Sequence, residues 1–317
     1  MGRAVARSAP ARVTSPVVFQ FEHPDRPLGD NVRKAAKAEF DLAIAEVGET
    51  GFEVHGTVRN VRRRLKRVRS LLRLIRPVFA DYANENSALR DICAEVRELR
   101  DAMALVEAAD HLGRGVDGGL GLALDRLRHE LANRAASREA SLDREAFLAD
   151  LRVKLRDARV RSELWEFKGD GRAAVVPGFV DTYRRARRGM KEARTASEET
   201  AFHEWRKAVK HHAGQLSILR GLVPPFADAR LRRAKQLAIT LGELQNLCVL
   251  RLAIGDDETL AKEADKALVD ELCSIEIAAA RRRALRLGKP LFAESPRLVE
   301  ARWEAYWLDW QAARRMG

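Results

Sequence analysis

Aromatic residues make up only 6% of the 317 residues, cysteines number three, and the alternation of apolar and polar residues that marks a half-buried strand is nearly absent. Cys93, Cys248 and Cys273 are far apart and odd in number, which fits neither a disulfide framework nor a zinc site. Each stands in a helical pattern among apolar residues, as a buried free thiol in a reducing cytosol would. No run of about 18 apolar residues occurs, so no membrane-spanning helix is expected. The opening MGRAVARSAPARVTSPVVF has no apolar stretch long enough for a secretion signal, and a cytoplasmic location is the expectation. Also missing are a Walker A loop, a GxGxxG turn, a placeable Ser–His–Asp or Cys–His arrangement, and an acidic cluster for Mg²⁺. No catalytic residue, cofactor or metal is therefore expected.

Positive charge and helical periodicity are what the chain has. Lys and Arg number 58 against 46 Asp and Glu, a formal net charge of +12, which points to a polyanionic partner. Apolar residues recur at three- and four-residue spacing through most of the sequence, so the chain reads as all-α. Eight long helices are predicted, at roughly 30–48, 53–76, 81–110, 119–166 (interrupted), 177–195, 199–222, 226–254 and 258–312 (broken near Gly288-Lys289-Pro290). The breaks fall at Arg76-Pro77, Gly113 to Gly121, Gly169 to Gly178, Pro224-Pro225 and Gly255-Asp256. The first residues, without periodicity, read as a tail over 1–27.

Two of these helices repeat. RRRLKRVRSLLRLIR (Arg62 to Arg76) lies over RKAVKHHAGQLSILR (Arg206 to Arg220) without a gap, with Arg62/Arg206, Lys66/Lys210, Leu72/Leu216 and Arg76/Arg220 identical. VRELRDAMAL from Val96 then lies over LGELQNLCVL from Leu241, one residue of offset being absorbed between them. A nearly constant offset across two helices implies two copies of a four-helix unit, one in 28–168 and one in 169–317. The expected architecture is two four-helix bundles related by a pseudo-twofold axis, with a basic central groove or channel.

At about 100° per residue, Val61, Leu65, Val68, Leu71, Leu72 and Ile75 share one side of the first basic helix. Arg59, Arg62, Arg63, Lys66, Arg69 and Arg73 take the other. Nine Arg or Lys residues and no acid lie between Arg59 and Arg76, so like-charged i,i+4 pairs oppose one another unless something outside the helix compensates. On the second basic helix His203, Arg206, Lys207 and Lys210 take the corresponding face, while Phe202, Trp205, Val209 and Leu216 point to the core. Gly214 and Ser217 stand where the first copy has Ser70 and Arg73, leaving room for a ligand or for close helix approach. Arg184, Arg188 and Lys191, on one face of the preceding helix, are further candidates. A basic helix face is commonly only solvated surface; its recurrence in both copies argues against that here. His203 lies two turns from His211 with lysines around it, which disfavours a metal. The stripe Trp303, Tyr306, Trp307, Trp310 is read as a packing seam rather than a base-stacking platform.

On HEWRKAVKHH (His203 to His212), RNVRRRLKRVRSLLRLIRP (Arg59 to Pro77) and LGELQNLCVL, the chain resembles the CHAD family, the conserved histidine α-helical domain, from about residue 28 onward. The family's basic helix reads roughly His-x-x-Arg-[Lys/Val]-x-x-[Lys/Arg], and His203, Arg206, Lys207 and Lys210 fall on it. In the first copy Arg62, Arg63, Lys66 and Arg67 match, but Arg59 occupies the histidine position and His55 lies one turn earlier. The resemblance implies the two-bundle fold, binding of inorganic polyphosphate without catalysis, and association with polyphosphate granules. The implied partners are polyphosphate and other polyanions, with no membrane. Histidines in such a basic field would be neutral when empty and gain a proton as the anion arrives. The alternative is a nucleic-acid binder using the same faces, disfavoured by the lack of a reading motif or exposed aromatics.

Overall fold

A buried arginine sets the first packing relation. Arg64 points away from the basic face, and its guanidinium donates to Glu46 at 2.6 and 3.0 Å and to Glu39 at 3.3 Å; Arg67 reaches the other oxygen of Glu39 at 3.0 Å. Both acids come from α1 (Leu28–Gly48) and both arginines from α2 (Val54–Leu74). Two of the eight Arg and Lys residues on α2 thus find carboxylates of α1 inside the fold. Charges this deeply buried persist only when paired, so the network fixes α1 along α2.

The computed structural model describes residues 27–48, 54–169, 171–195, 199–257 and 259–315. The expected tail at 1–27 falls outside them except for Pro27. Among the described residues the protein is all-helical. After α2 come α3 (Tyr82–Glu95), α4 (Arg97–Gly113), α5 (Gly118–Ala140), α6 (Arg144–Glu163), α7 (Gly171–Thr195), α8 (Glu199–Ile218), α9 (Pro224–Asp256), α10 (Glu263–Leu291) and α11 (Pro296–Arg315). Residues 28–168 therefore hold six helices and 169–315 five, where four each were predicted. The segment 81–110 splits at buried Val96. The segment 119–166 splits where the Asp143 carboxylate accepts the Ala146 N–H at 3.0 Å and restarts the helix. The last segment breaks just after Pro290. α10 runs through that proline to Leu291, and Ser295 with Pro296 begins α11.

The contact pattern is similar in the two parts. In the first, α1 packs on α2 and α6, and α4 packs on α5; in the second, α7 packs on α8 and α11, and α9 packs on α10. The parts meet chiefly where α2 lies against α8 and α7. One hydrophobic cluster runs through both. Val61, Leu65, Val68, Leu71, Leu72 and Ile75 of the α2 segment are all fully buried, as are Trp205, Val209 and Leu216 of α8. Trp303, Trp307 and Trp310 are buried, with Trp303 packed on Phe179 at 4.4 Å between ring centroids. The three cysteines are buried and free.

Gly178, predicted to mark a loop, is inside α7. A Cβ there would meet the Leu74 carbonyl oxygen of α2 at 1.9 Å, so only glycine allows this backbone-on-backbone approach. By length and composition α9 is the one helix among the described residues able to cross a membrane. It packs between α8 and α10, however, and buries Leu237, Leu241, Leu244, Leu247 and Leu250 there.

His212 is fully buried among Phe179, Tyr183 and Phe292, with neither ring nitrogen hydrogen-bonded. Burial, with the charge of Arg230, holds its pKa down at about 3, against roughly 6.5 in the unfolded chain. The unfolded state therefore binds the extra proton, and stability falls as pH drops from about 6.5 toward 3. This residue is expected to cost about 1.4 kcal/mol per pH unit below pH 6. His212→Phe should remove that slope, as read by urea unfolding at pH 7 and pH 5.

Candidate polyanion site

α2 and α8 touch through the residues that align in the two basic helices. Gly214 of α8 lies against Ser70 of α2, and a Cβ on Gly214 would sit 2.6 Å from Ser70 Oγ and 2.7 Å from Ser70 Cβ. The small pair serves close helix approach rather than leaving space for a ligand. Ser70 Oγ donates to the Lys66 carbonyl at 2.9 Å and lies 3.2 Å from His211 Nδ1. This crossing brings the middle of each basic face beside the other.

On one side of the crossing Arg62 and Lys66 of α2 stand beside Arg206 and Lys210 of α8, and Arg100 of α4 acts on all four. All four are half-buried. Burial and then the field of Arg62, Arg206 and Arg100 push Lys66 down to about 8. Burial and then Arg206, Lys66, Arg100 and Arg62 push Lys210 down to about 6. Asp101 is the one carboxylate whose charge reaches Arg62 and Arg206 among the described residues. Arg62 Nη1 donates to the Cys93 carbonyl at 2.5 Å, while Arg206 Nε is buried without a hydrogen-bond partner. On the other side Arg69 donates to Asn86 at 3.1 Å and Arg73 to the Tyr82 hydroxyl at 2.6 Å. Arg73 is lowered by burial and then by Arg69, Arg185 and Arg76. His211 joins the two sides: it is held well below its ordinary range by burial and then by Arg73, Arg69, Lys66 and Lys210. From Arg62 to Arg73 this line of charge runs roughly 16 Å along α2.

The other predicted residues lie elsewhere or are differently engaged. His55 pairs with Glu139 of α5 at 2.9 Å. Arg59 is exposed, 3.6 Å from Glu107, and Arg63 is exposed too. His203 donates from Nδ1 to the Gln245 side-chain oxygen of α9 at 2.5 Å. Lys207 is exposed and bound to Glu204 one turn back at 2.6 Å. On α7, Arg184 and Arg188 are exposed beside Asp181 and Glu192, and Lys191 is exposed. Arg185, one residue out of phase with the predicted set, is the α7 cation whose field reaches Arg73. Arg100 and Arg97 were not foreseen, because their helix mixes both signs and shows no basic face. The only sequence signal for them is that VRELRDAMAL belongs to the repeat. No group of three or more metal-ligating side chains occurs among the described residues.

A family model described as the CHAD domain matches residues 49–255, more than half of the chain. The protein belongs to the CHAD domain family. Its structure is similar to that of PptA from Streptomyces chartreusis, with a TM-score of 0.56 and 16% identity over 83% of this chain and 100% of that one. It is also similar to the CHAD domain from the plant Ricinus communis, with a TM-score of 0.55 and 17% identity over 87% and 96%. At these identities the likeness is one of fold. No curated protein matches the chain.

The Ser70–Gly214 contact is open to test. Gly214→Ala gains helix propensity of about 1 kcal/mol, yet overpacking against Ser70 should give a net loss of about 1–2 kcal/mol. Ser70→Gly in the same chain should recover most of it. Denaturant unfolding of the four proteins in the cycle is expected to give a coupling of at least about 1 kcal/mol.

Proposed function

We propose that the line of cations at the α2–α8 crossing is a binding groove for inorganic polyphosphate, and that the protein binds this polymer without reacting with it. The observation that carries the reading is the self-pairing of the repeat. Arg62 and Lys66 act on Arg206 and Lys210, their own equivalents, as Ser70 meets Gly214. Residues that contact their equivalents are the mark of a twofold interface, so we take the two parts as bundles related by a pseudo-twofold axis near Ser70 and Gly214.

Such an arrangement doubles one basic face into a trough of like charge with a single carboxylate nearby. A fold has no stability reason to collect cations in this way, because like charges in a half-buried site oppose folding. A ligand with closely spaced negative charges relieves the cost. Arginine can fork onto two phosphate oxygens and lysine donates singly, and the unpartnered Nε of Arg206 and Arg73 offer donors ready for such oxygens. Membership in the CHAD domain family is consistent with this ligand. The corresponding biological role is association with polyphosphate granules in the cytoplasm.

Calorimetric titration with long-chain polyphosphate at near-physiological salt tests the reading, with duplex and single-stranded DNA as competitors. Wild type is expected to prefer polyphosphate. Arg206→Ala/Lys210→Ala should weaken binding at least about a hundredfold, as expected from losing two charge-assisted contacts of roughly 1.5–3 kcal/mol each, and should flatten the salt dependence. Arg184→Ala/Arg188→Ala should bind as wild type. Equal binding of DNA, or an unaffected Arg206/Lys210 double variant, would overturn it.

A further inference from the structure

Two lysines sit where an arginine would keep its charge and a lysine need not. Lys66 and Lys210 are equivalents in the repeat, half-buried in the cluster, and neither side-chain amine has a hydrogen-bond or carboxylate partner among the described residues. The charges facing Lys210 come from every side: Arg206 and His211 on its own helix, Lys66 and Arg62 on α2, and Arg100 on α4. Those facing Lys66 are Arg62 on its own helix, Arg206, Lys210 and His211 on α8, and Arg100 on α4, with the Cys93 thiol of α3 beside it. Asp101, the nearby acid, weighs on Arg62 and Arg206, and the charges that weigh most on the two lysines are cationic. α7 and α9 also pack on α8, but the charges that weigh most on Lys210 come from α2, α4 and α8 itself.

We infer that Lys210, assisted by Lys66, is charged by its ligand: the amine takes a proton from solvent as the polyanion enters, so that capture is coupled to proton uptake. The inference rests on the polyphosphate reading and concerns how that same groove is regulated. In the empty groove the arginines cannot release protons, so the repulsion among five crowded cations is relieved at the lysines. The first to give way is Lys210, held at about 6, while Lys66 at about 8 is mostly charged at neutral pH. An anion lying across both reverses the field and restores the ammonium, which then donates to a phosphate oxygen.

The sign follows from linkage. Binding raises the pKa of Lys210 above its value in the empty groove, so affinity grows as pH falls below the bound-state value. It levels off once pH is under about 6, where the empty groove already carries the proton. One proton taken up per groove corresponds to about a tenfold gain in affinity per pH unit between pH 8 and pH 6. A groove sensitive in this way binds its polymer more tightly on modest acidification, and a sparsely charged anion that cannot restore the ammonium binds poorly.

The test is titration of wild type with long-chain polyphosphate at pH 7 in two buffers of very different ionisation enthalpy, repeated from pH 5 to pH 9. The expected result is uptake of about one proton per groove at pH 7, vanishing near pH 5. Lys210→Arg should still bind, with uptake at pH 7 reduced to under about a quarter, while Lys66→Arg, which leaves Lys210 in place, keeps most of it. Binding with no buffer-dependent heat in wild type overturns the inference and leaves the polyphosphate reading intact. Full uptake in Lys210→Arg also overturns it, since the proton then goes to another group such as His211 or His203. Absence of polyphosphate binding at every pH overturns both.

Discussion

The contact between Ser70 and Gly214 is the constraint on which the rest of the molecule turns. It lets α2 and α8 approach closely enough that their aligned cations act on one another. Nothing local favours that approach, since like charges are brought together and water is removed from them. What holds the helices there is the apolar side of each. The fully buried Val61, Leu65, Val68 and Leu72 on one helix and Trp205, Val209 and Leu216 on the other belong to a single cluster. Burial of such side chains is worth roughly 1.5–3 kcal/mol each, ample to outweigh a handful of screened repulsions. Gly178 against the Leu74 carbonyl does the same for α7, whose Arg185 comes within reach of Arg73.

The two basic helices are not interchangeable, and their neighbours explain the difference. α2 carries Arg64 and Arg67 on the side turned to α1, where Glu39 and Glu46 receive them. At the matching positions α8 has Ala208 and His211. The helix on that side is α7, and its buried polar contact with α8 is Thr182 with Gln215 at 3.0 Å, in place of a carboxylate pair. Cation and acid have thus been gained or lost together, as the cost of an unpaired buried charge demands. His212, in the apolar interior where α2 has Val68, follows the same rule by staying neutral.

Much of this was legible in the sequence, because helix period and repeat offset are geometric. The apolar stripe of α2, the core side of α8 and the alignment of Arg62 with Arg206 and Lys66 with Lys210 follow from spacing alone. What was hidden is what crosses between helices. Arg64 looks like one more cation until α1 is packed beside it. His55 and Lys207 look like site residues until Glu139 and Glu204 are found next to them. Arg100 looks like a member of a mixed-sign surface helix until α4 is laid over the crossing. On α7 a phase error of one residue, about 100° of rotation, separates the predicted Arg184 from Arg185. Helix ends were misread for a related reason. Glycine and proline punctuate a chain only when packing does not need them inside a helix, as it needs Gly178 and tolerates Pro290.

The composition of the trough carries its own argument. A site built only of arginine would hold every charge at all times, and the empty fold would bear the full repulsion. A site built only of lysine would discharge too readily and lose the forked contacts that guanidinium makes with phosphate oxygens. Here Arg62, Arg100 and Arg206 form a permanent frame, and the two lysines stand inside it as the groups able to give way. They give way unequally, Lys210 further than Lys66, although the repeat makes them equivalents. Burial is the first cause for both, but four cations weigh on Lys210 and three, Arg62, Arg206 and Arg100, on Lys66. On the function proposed above, the pairing of two related helices would yield a graded site, in which the first-half lysine keeps the groove positive and the second-half lysine adjusts its charge to what is bound.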